Sequence, residues 1–103
     1  MTEFLVAEAA VRQLYARYTD AVWRKDAEAF GDCFTENAEW RISGNVLRGR
    51  AEIVGMIARV FPRYTRILLN FRDPILDVGD GTANARTLVS EQSVLGGKPY
   101  TPM

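Results

Sequence analysis

The sequence predicts an α+β domain, with three helices in the N-terminal half laid on one face of a curved antiparallel sheet. Two observations carry this reading. Up to Pro62, apolar residues recur at steps of three and four, interrupted by one short alternating stretch. After Pro62 the chain is extended, cut by the glycine-bearing turns Gly79-Asp80-Gly81 and Gly96-Gly97. The order is helix, helix, short strands, helix, then long strands, which is an α+β arrangement and not a βαβ one.

The first helix spans residues 6–25. Val11, Leu14, Tyr15, Tyr18, Ala21 and Val22 fall on one face, and Arg12, Gln13, Arg17, Asp20 and Arg24 on the other. Asp26 is placed to cap a second helix over 27–34, because its carboxylate can accept from free backbone N–H groups. Ala27, Phe30, Cys33 and Phe34 form that helix's apolar stripe.

Residues 38–43 read as a strand with Trp40 and Ile42 on one face and Glu39 and Arg41 on the other. Gly44-Asn45 signals a turn, and 46–48 a short return. A third helix covers about 50–61, burying Ile53, Met56, Ile57, Val60 and Phe61. Gly55 inside it costs about 1 kcal/mol relative to alanine, so close packing against a neighbour is expected there. Pro62 stops the helix, having no N–H to donate. Residues 65–78 are extended, with Pro74 marking an edge or a bulge. Residues 82–95 form a long strand, and 98–103 begin another.

The chain has 103 residues, enough for one domain and too few for two. Thirteen basic residues balance thirteen acidic ones, so no net field favours nucleic acid or anionic lipid. No segment has the length of a membrane span, and the N-terminus lacks a signal peptide's basic start and apolar run. The lone Cys33 cannot form an internal disulfide, which fits a reducing, cytoplasmic setting. Cys33 reads as a small core hydrophobe. Histidine is absent, which removes the usual general base, the Ser-His triad and most zinc sites. Acid–base chemistry falls to Asp, Glu, Tyr, Lys or Arg.

Four stretches carry a resemblance. They are Ala16-Arg17-Tyr18-Thr19-Asp20-Ala21-Val22 running to Asp26, Phe34-Thr35-Glu36-Asn37-Ala38-Glu39-Trp40, Leu47-Arg48-Gly49-Arg50-Ala51-Glu52-Ile53, and Ile75-Leu76-Asp77-Val78-Gly79-Asp80-Gly81-Thr82-Ala83. In this order the chain resembles the SnoaL-like family of the nuclear-transport-factor-2-like superfamily. Ketosteroid isomerases, scytalone dehydratases and limonene epoxide hydrolases also belong there. The resemblance implies a cone-shaped fold with a ligand pocket and a homodimer formed through the sheet. It also implies a further strand inside the sheet, so residues 1–103 are expected to be a single domain lacking its last one to two strands. Such a fold hosts many reactions, so the resemblance does not choose one.

The segment Ala16-Arg17-Tyr18 with Val22 and Asp26 looks like the first helix of ketosteroid isomerases. By that resemblance Tyr18 would donate a hydrogen bond to a developing oxyanion; a core tyrosine with a satisfied hydroxyl is the other reading. Alignment through Asn37-Ala38-Glu39 places that family's catalytic aspartate at Ile42, which cannot move a proton. A working ketosteroid isomerase is therefore not expected. Asp20 resembles the helix-one acid of dehydratase-like relatives, where it works with a histidine; periodicity instead turns it toward Arg24 or Arg17 as a surface pair.

Trp40, Phe61, Tyr64, Leu68, Val89 and Glu91 are the expected pocket lining, with ordinary core as the alternative for each. Thr87, Val89 and Glu91 share a strand face. Facing inward, Glu91 could act as a base; facing outward, it would pair across strands. Arg66, Asn70 and Arg72 alternate on another face, read as solvated. The expected activity is a cofactor-independent, metal-free isomerase, cyclase or dehydratase acting on a small hydrophobic carbonyl compound. Tyr18 would polarise the carbonyl, and Asp20 or Glu91 would shuttle the proton. The alternative is a non-catalytic ligand-binding or dimerisation domain of the same fold.

Overall fold

The computed structural model describes residues 2–96 and 98–100. Helix α1 (Thr2–Arg24) starts four residues earlier than its apolar period suggests. That first turn lies off the core, with Phe4, Leu5 and Val6 all exposed. Further along, Val11, Tyr15 and Tyr18 are half-buried, and Ala21 and Val22 are fully inside. Leu14 departs from the expected stripe and is exposed.

The chain reverses at Lys25, which takes the left-handed conformation (φ 56°) and lets the Asp26 N–H donate back to the Ala21 carbonyl. The Asp26 carboxylate then accepts from the Ala29 N–H at 3.0 Å, capping α2 (Ala27–Gly31). The second helix ends three residues earlier than expected.

Strands β1 (Glu39–Ile42) and β2 (Asn45–Arg48) form a hairpin whose turn is Ser43-Gly44, one residue before the expected site. Both turn residues have positive φ, 50° and 80°, as a tight hairpin with the sheet's twist requires. Trp40 faces Leu47 on the inner side of the ladder. On the outer side Glu39 accepts from both Arg41 and Arg48.

Gly49 then has φ 88°, which a side chain would strain; its N–H donates to the Ala38 carbonyl, and α3 (Arg50–Val60) begins. Arg50 anchors α3 to the exit of α2 by donating to the Phe34 carbonyl. The α2–α3 contact depends on Gly31. A Cβ there would collide with the Cγ2 methyl of Val54. This corrects the expectation for Gly55, where the nearest atom to an added Cβ is the tip of Arg59, 3.8 Å away.

A short 3-10 helix (Phe61–Arg63) carrying Pro62 leads into the strands. The expected 65–78 segment divides into β3 (Tyr64–Phe71) and β4 (Ile75–Gly79), and 82–95 into β5 (Thr82–Arg86) and β6 (Val89–Leu95). Pairing runs Phe71 to Val89 and resumes at Ile75 with Arg86, so residues 72–74 lie opposite 87–88. One extra residue on the Pro74 side makes a bulge and bends the ribbon. The Arg72 N–H donating to the Leu88 carbonyl, and the Thr87 hydroxyl donating to the Arg72 carbonyl, bridge the bend.

β6 also pairs with β7 (Lys98–Tyr100), giving the order β3-β6-β7. Every ladder among the described residues is antiparallel. The turn partner Gly97 and the expected continuation over 101–103 lie outside the described residues.

Ala21, Val22, Phe30, Ile53, Ile57, Phe61 and Ile67 make the buried core, where the helices meet β3. Phe30 is its centre. It is 1% exposed, and its ring lies within 6 Å, centroid to centroid, of those of Tyr18, Phe34, Trp40 and Phe61. Offset and edge contacts of this kind hold aromatic rings in one arrangement.

Candidate functional site

The core does not fill the space between the β1–β2 hairpin, α3 and the inner face of β3–β6. A cavity of about 730 Å³ remains there, large enough for a small-molecule ligand. Its walls are mostly aliphatic and aromatic, with Trp40, Ile42 and Leu47 from the hairpin, Met56, Ile57 and Val60 from α3, and Ile67, Leu69 and Phe71 from β3.

Three ionisable groups border it, the phenols of Tyr18 and Tyr64 and the carboxylate of Glu91. Tyr18 reaches in from α1 and Glu91 from β6. Burial among Phe30, Phe34 and Phe71 pushes the Tyr18 phenol up to about 12, with smaller contributions from Cys33 and the Glu91 charge. The phenol therefore keeps its proton at neutral pH and is available to donate. Glu91 is half-buried, and its Oε2 accepts from the Ser93 hydroxyl at 3.1 Å. Ser93 is itself buried, two residues along the same strand face. Thus Glu91 and Ser93 lie on the cavity side of β6, and Val89, on the same face, borders the cavity while half exposed.

Of the expected lining, Trp40, Phe61, Tyr64, Val89 and Glu91 all border the cavity with Tyr18. Leu68 does not, and this is a correction. The ladder shifts register between Tyr64 and Arg66. That bulge at Thr65 inverts the alternation, so Tyr64 faces in together with Ile67, Leu69 and Phe71, whereas Leu68 faces out with Arg66 and Asn70 and is 37% exposed. Lys25 marks the bulge, donating to the freed carbonyls of Tyr64 and Thr65.

Asp20 also lies off the cavity lining. It is exposed on the outer face of α1 and accepts from Arg24 Nε at 3.0 Å. Cys33 is half-buried rather than core; burial raises its thiol, and its S–H donates to the Ala29 carbonyl.

Sequence reasoning missed several lining residues, among them Ile67, Leu69 and Phe71 on β3. The polar alternation Arg66, Asn70, Arg72 was their signal, since it leaves the odd-numbered residues for the interior. Among the described residues no three His, Cys, Asp or Glu side chains gather closely enough to hold a metal ion, and no helix is long and apolar enough to cross a membrane.

Helices folded over a bent antiparallel sheet around an apolar hollow define a ligand-pocket class of α+β domain. Residues 3–101 match the model of the SnoaL-like domain, and the chain belongs to that family. A comparison with curated proteins finds no match.

Solved structures give the same architecture. A Mycobacterium tuberculosis protein of unknown function is 23% identical with a TM-score of 0.84, covering 97% of this chain and 59% of its own. A candidate scytalone dehydratase of Novosphingobium aromaticivorans is 17% identical with a TM-score of 0.85, covering 98% and 70%. A hexachlorocyclohexane dehydrochlorinase of Novosphingobium barchaimii is 18% identical with a TM-score of 0.78, covering 91% and 66%. At these identities the likeness is one of fold. The chain spans 59% of the length of the mycobacterial protein.

Proposed function

We propose that this protein binds a small hydrophobic carbonyl compound and moves a proton on it by acid–base catalysis, without a cofactor. The observation that carries the reading is the meeting of one protonated phenol, Tyr18, and one carboxylate, Glu91, in a single apolar cavity. The Glu91 carboxylate removes a proton from the carbon next to the carbonyl. The Tyr18 hydroxyl donates to the carbonyl oxygen as negative charge collects there, an interaction strengthened by the apolar surroundings. Glu91 then returns the proton.

Return at a different carbon isomerises the compound. Return to a departing β-hydroxyl releases water and dehydrates it. Attack of the enolate carbon on a second carbonyl in the same molecule closes a ring. A candidate dehydratase and a dehydrochlorinase among the structural neighbours support elimination as one outcome. Asp20 has no part in this scheme, because its carboxylate is bound to Arg24 at the surface. A homodimer through the sheet and a cytoplasmic location belong to the same proposal.

The experiment is proton–deuterium exchange next to the carbonyl of β-tetralone in heavy water, followed by NMR. The protein should accelerate exchange. Tyr18→Phe should slow it by about a hundredfold or more, the usual cost of one oxyanion donor, and Glu91→Gln should abolish it. Unchanged exchange in either folded variant rejects that residue's role.

A second reading, a non-catalytic binder of the same fold, draws on Ile42. That side chain borders the cavity where the isomerase resemblance would require a proton acceptor. Quenching of Trp40 fluorescence by β-tetralone without any exchange would select it.

A further inference from the structure

We infer that Phe71 is the end wall that sets how long a ligand this cavity accepts. The inference rests on the carbonyl-compound reading of the same cavity.

Phe71 is the last residue of β3, and its ring sits between two tyrosines of α1. It stacks on Tyr15 at 4.5 Å with the planes 16° apart, and it meets Tyr18 edge-on at 5.4 Å. Tyr18 faces the 730 Å³ cavity, and Tyr15 faces a second hollow of about 310 Å³. Among the described residues only Leu69 and Phe71 border both. The row Tyr15–Phe71–Tyr18 is therefore a partition one ring thick.

The two sides differ in chemistry. The hollow behind the partition carries Arg12, Thr19, Asn70 and Arg72. Arg12 is engaged by Asp73 at 2.9 Å, whereas the Arg72 guanidinium makes no hydrogen bond or ion pair among the described residues.

Of the two shared residues, Phe71 is the one able to act as a stop. Leu69 lies mid-ladder opposite Glu91. Phe71 lies opposite Val89, at the point where the ladder gives way to the bulge at residues 72–74. Two residues of strand separate the Glu91 level from the wall, about 7 Å at 3.4 Å per residue. A ligand whose carbonyl lies between Tyr18 and Glu91 is thus limited at this end to about one further ring. With the wall removed, a longer ligand passes between the tyrosines, and an anionic end would come out beside Arg72.

The test uses two probes, acetylnaphthalene and the same ketone carrying a six-carbon tail that ends in a carboxylate. Binding is read by quenching of Trp40 in a Trp23→Phe background, since Trp23 is 52% exposed and away from the cavity. The unmodified wall should favour the short probe. Phe71→Ala should shift the ratio of the two dissociation constants toward the tailed probe by at least about tenfold, and Phe71→Leu by less. If Phe71→Ala does not fold, Phe71→Leu, closer in volume, must still shift the ratio in the same direction.

An unchanged ratio in a folded variant overturns the partition and leaves the Tyr18–Glu91 reading standing. Failure of both probes to quench Trp40 in every protein overturns the cavity reading and the partition together.

Discussion

Raising the pH through the ordinary range of tyrosine ionisation should weaken this fold through Tyr18. The phenol's ordinary value is 10.0, and in the folded protein burial lifts it to about 12. Between those values the unfolded chain gives up this proton and the folded chain holds it. Stability associated with the group is therefore complete below about pH 10 and is lost progressively as the pH rises toward 12. At about pH 11 the loss comes to about 1.4 kcal/mol, a tenfold change in the folding equilibrium.

The measurement is urea unfolding at about pH 9 and pH 11 for the wild-type protein and Tyr18→Phe. Tyr15, also raised by burial, is present in both proteins and cancels in the difference. The stability of the wild type relative to Tyr18→Phe should fall by about 1.4 kcal/mol across this interval. A flat difference would mean that the phenol titrates as it does in water. That result would refute both its burial against Phe30 and Phe71 and its place in the apolar cavity.

Two further predictions concern local structure. Gly31→Ala should lower stability by about 1–3 kcal/mol, because the new methyl collides with Val54 and the branched valine has little freedom to yield. Gly55→Ala should raise it by about 0.5–1 kcal/mol, since a Cβ there has room and alanine is the better helix former; thermal melts of both variants decide the pair, and equal destabilisation would refute the assignment of close packing. Asp26→Ala should lower Tm at neutral pH by removing the cap of α2. The Ala29 N–H and Arg24 hold the Asp26 carboxyl below its ordinary 3.8. Its contribution is therefore present above that value and lost as the pH falls through and below it, and a Tm difference that persists unchanged into strong acid would refute the cap.

Much of the fold was legible because helix and strand periods are local. The apolar steps of α1 and α3, the Asp26 cap, the stop at Pro62 and the Pro74 bulge follow from residue types a few positions apart. The helix ends were less legible. The first turn of α1 holds its shape with Phe4, Leu5 and Val6 turned to solvent, so periodicity alone did not reveal it. Gly31 and Gly55 look equivalent along the chain, and their difference is set by Val54, which only the α2–α3 contact brings to Gly31.

By itself the sequence determined the order of elements, the absence of a histidine base and the family to which they lead. It also placed Tyr18 on the inward face of its helix, because a period of 3.6 residues leaves little choice of side. Tertiary structure decided where along β3 the inward face changes over, which the polar alternation Arg66, Asn70, Arg72 marks only beyond the bulge. A strand alternates every residue, so one bulge at Thr65 reverses everything that follows, exchanging Leu68 for Ile67, Leu69 and Phe71. The same pairing set Glu91 and Ser93 on the cavity side of β6. Whether a carboxylate meets the phenol depends on how α1 lies across β3 and β6, a relation between residues more than seventy positions apart that no local pattern encodes.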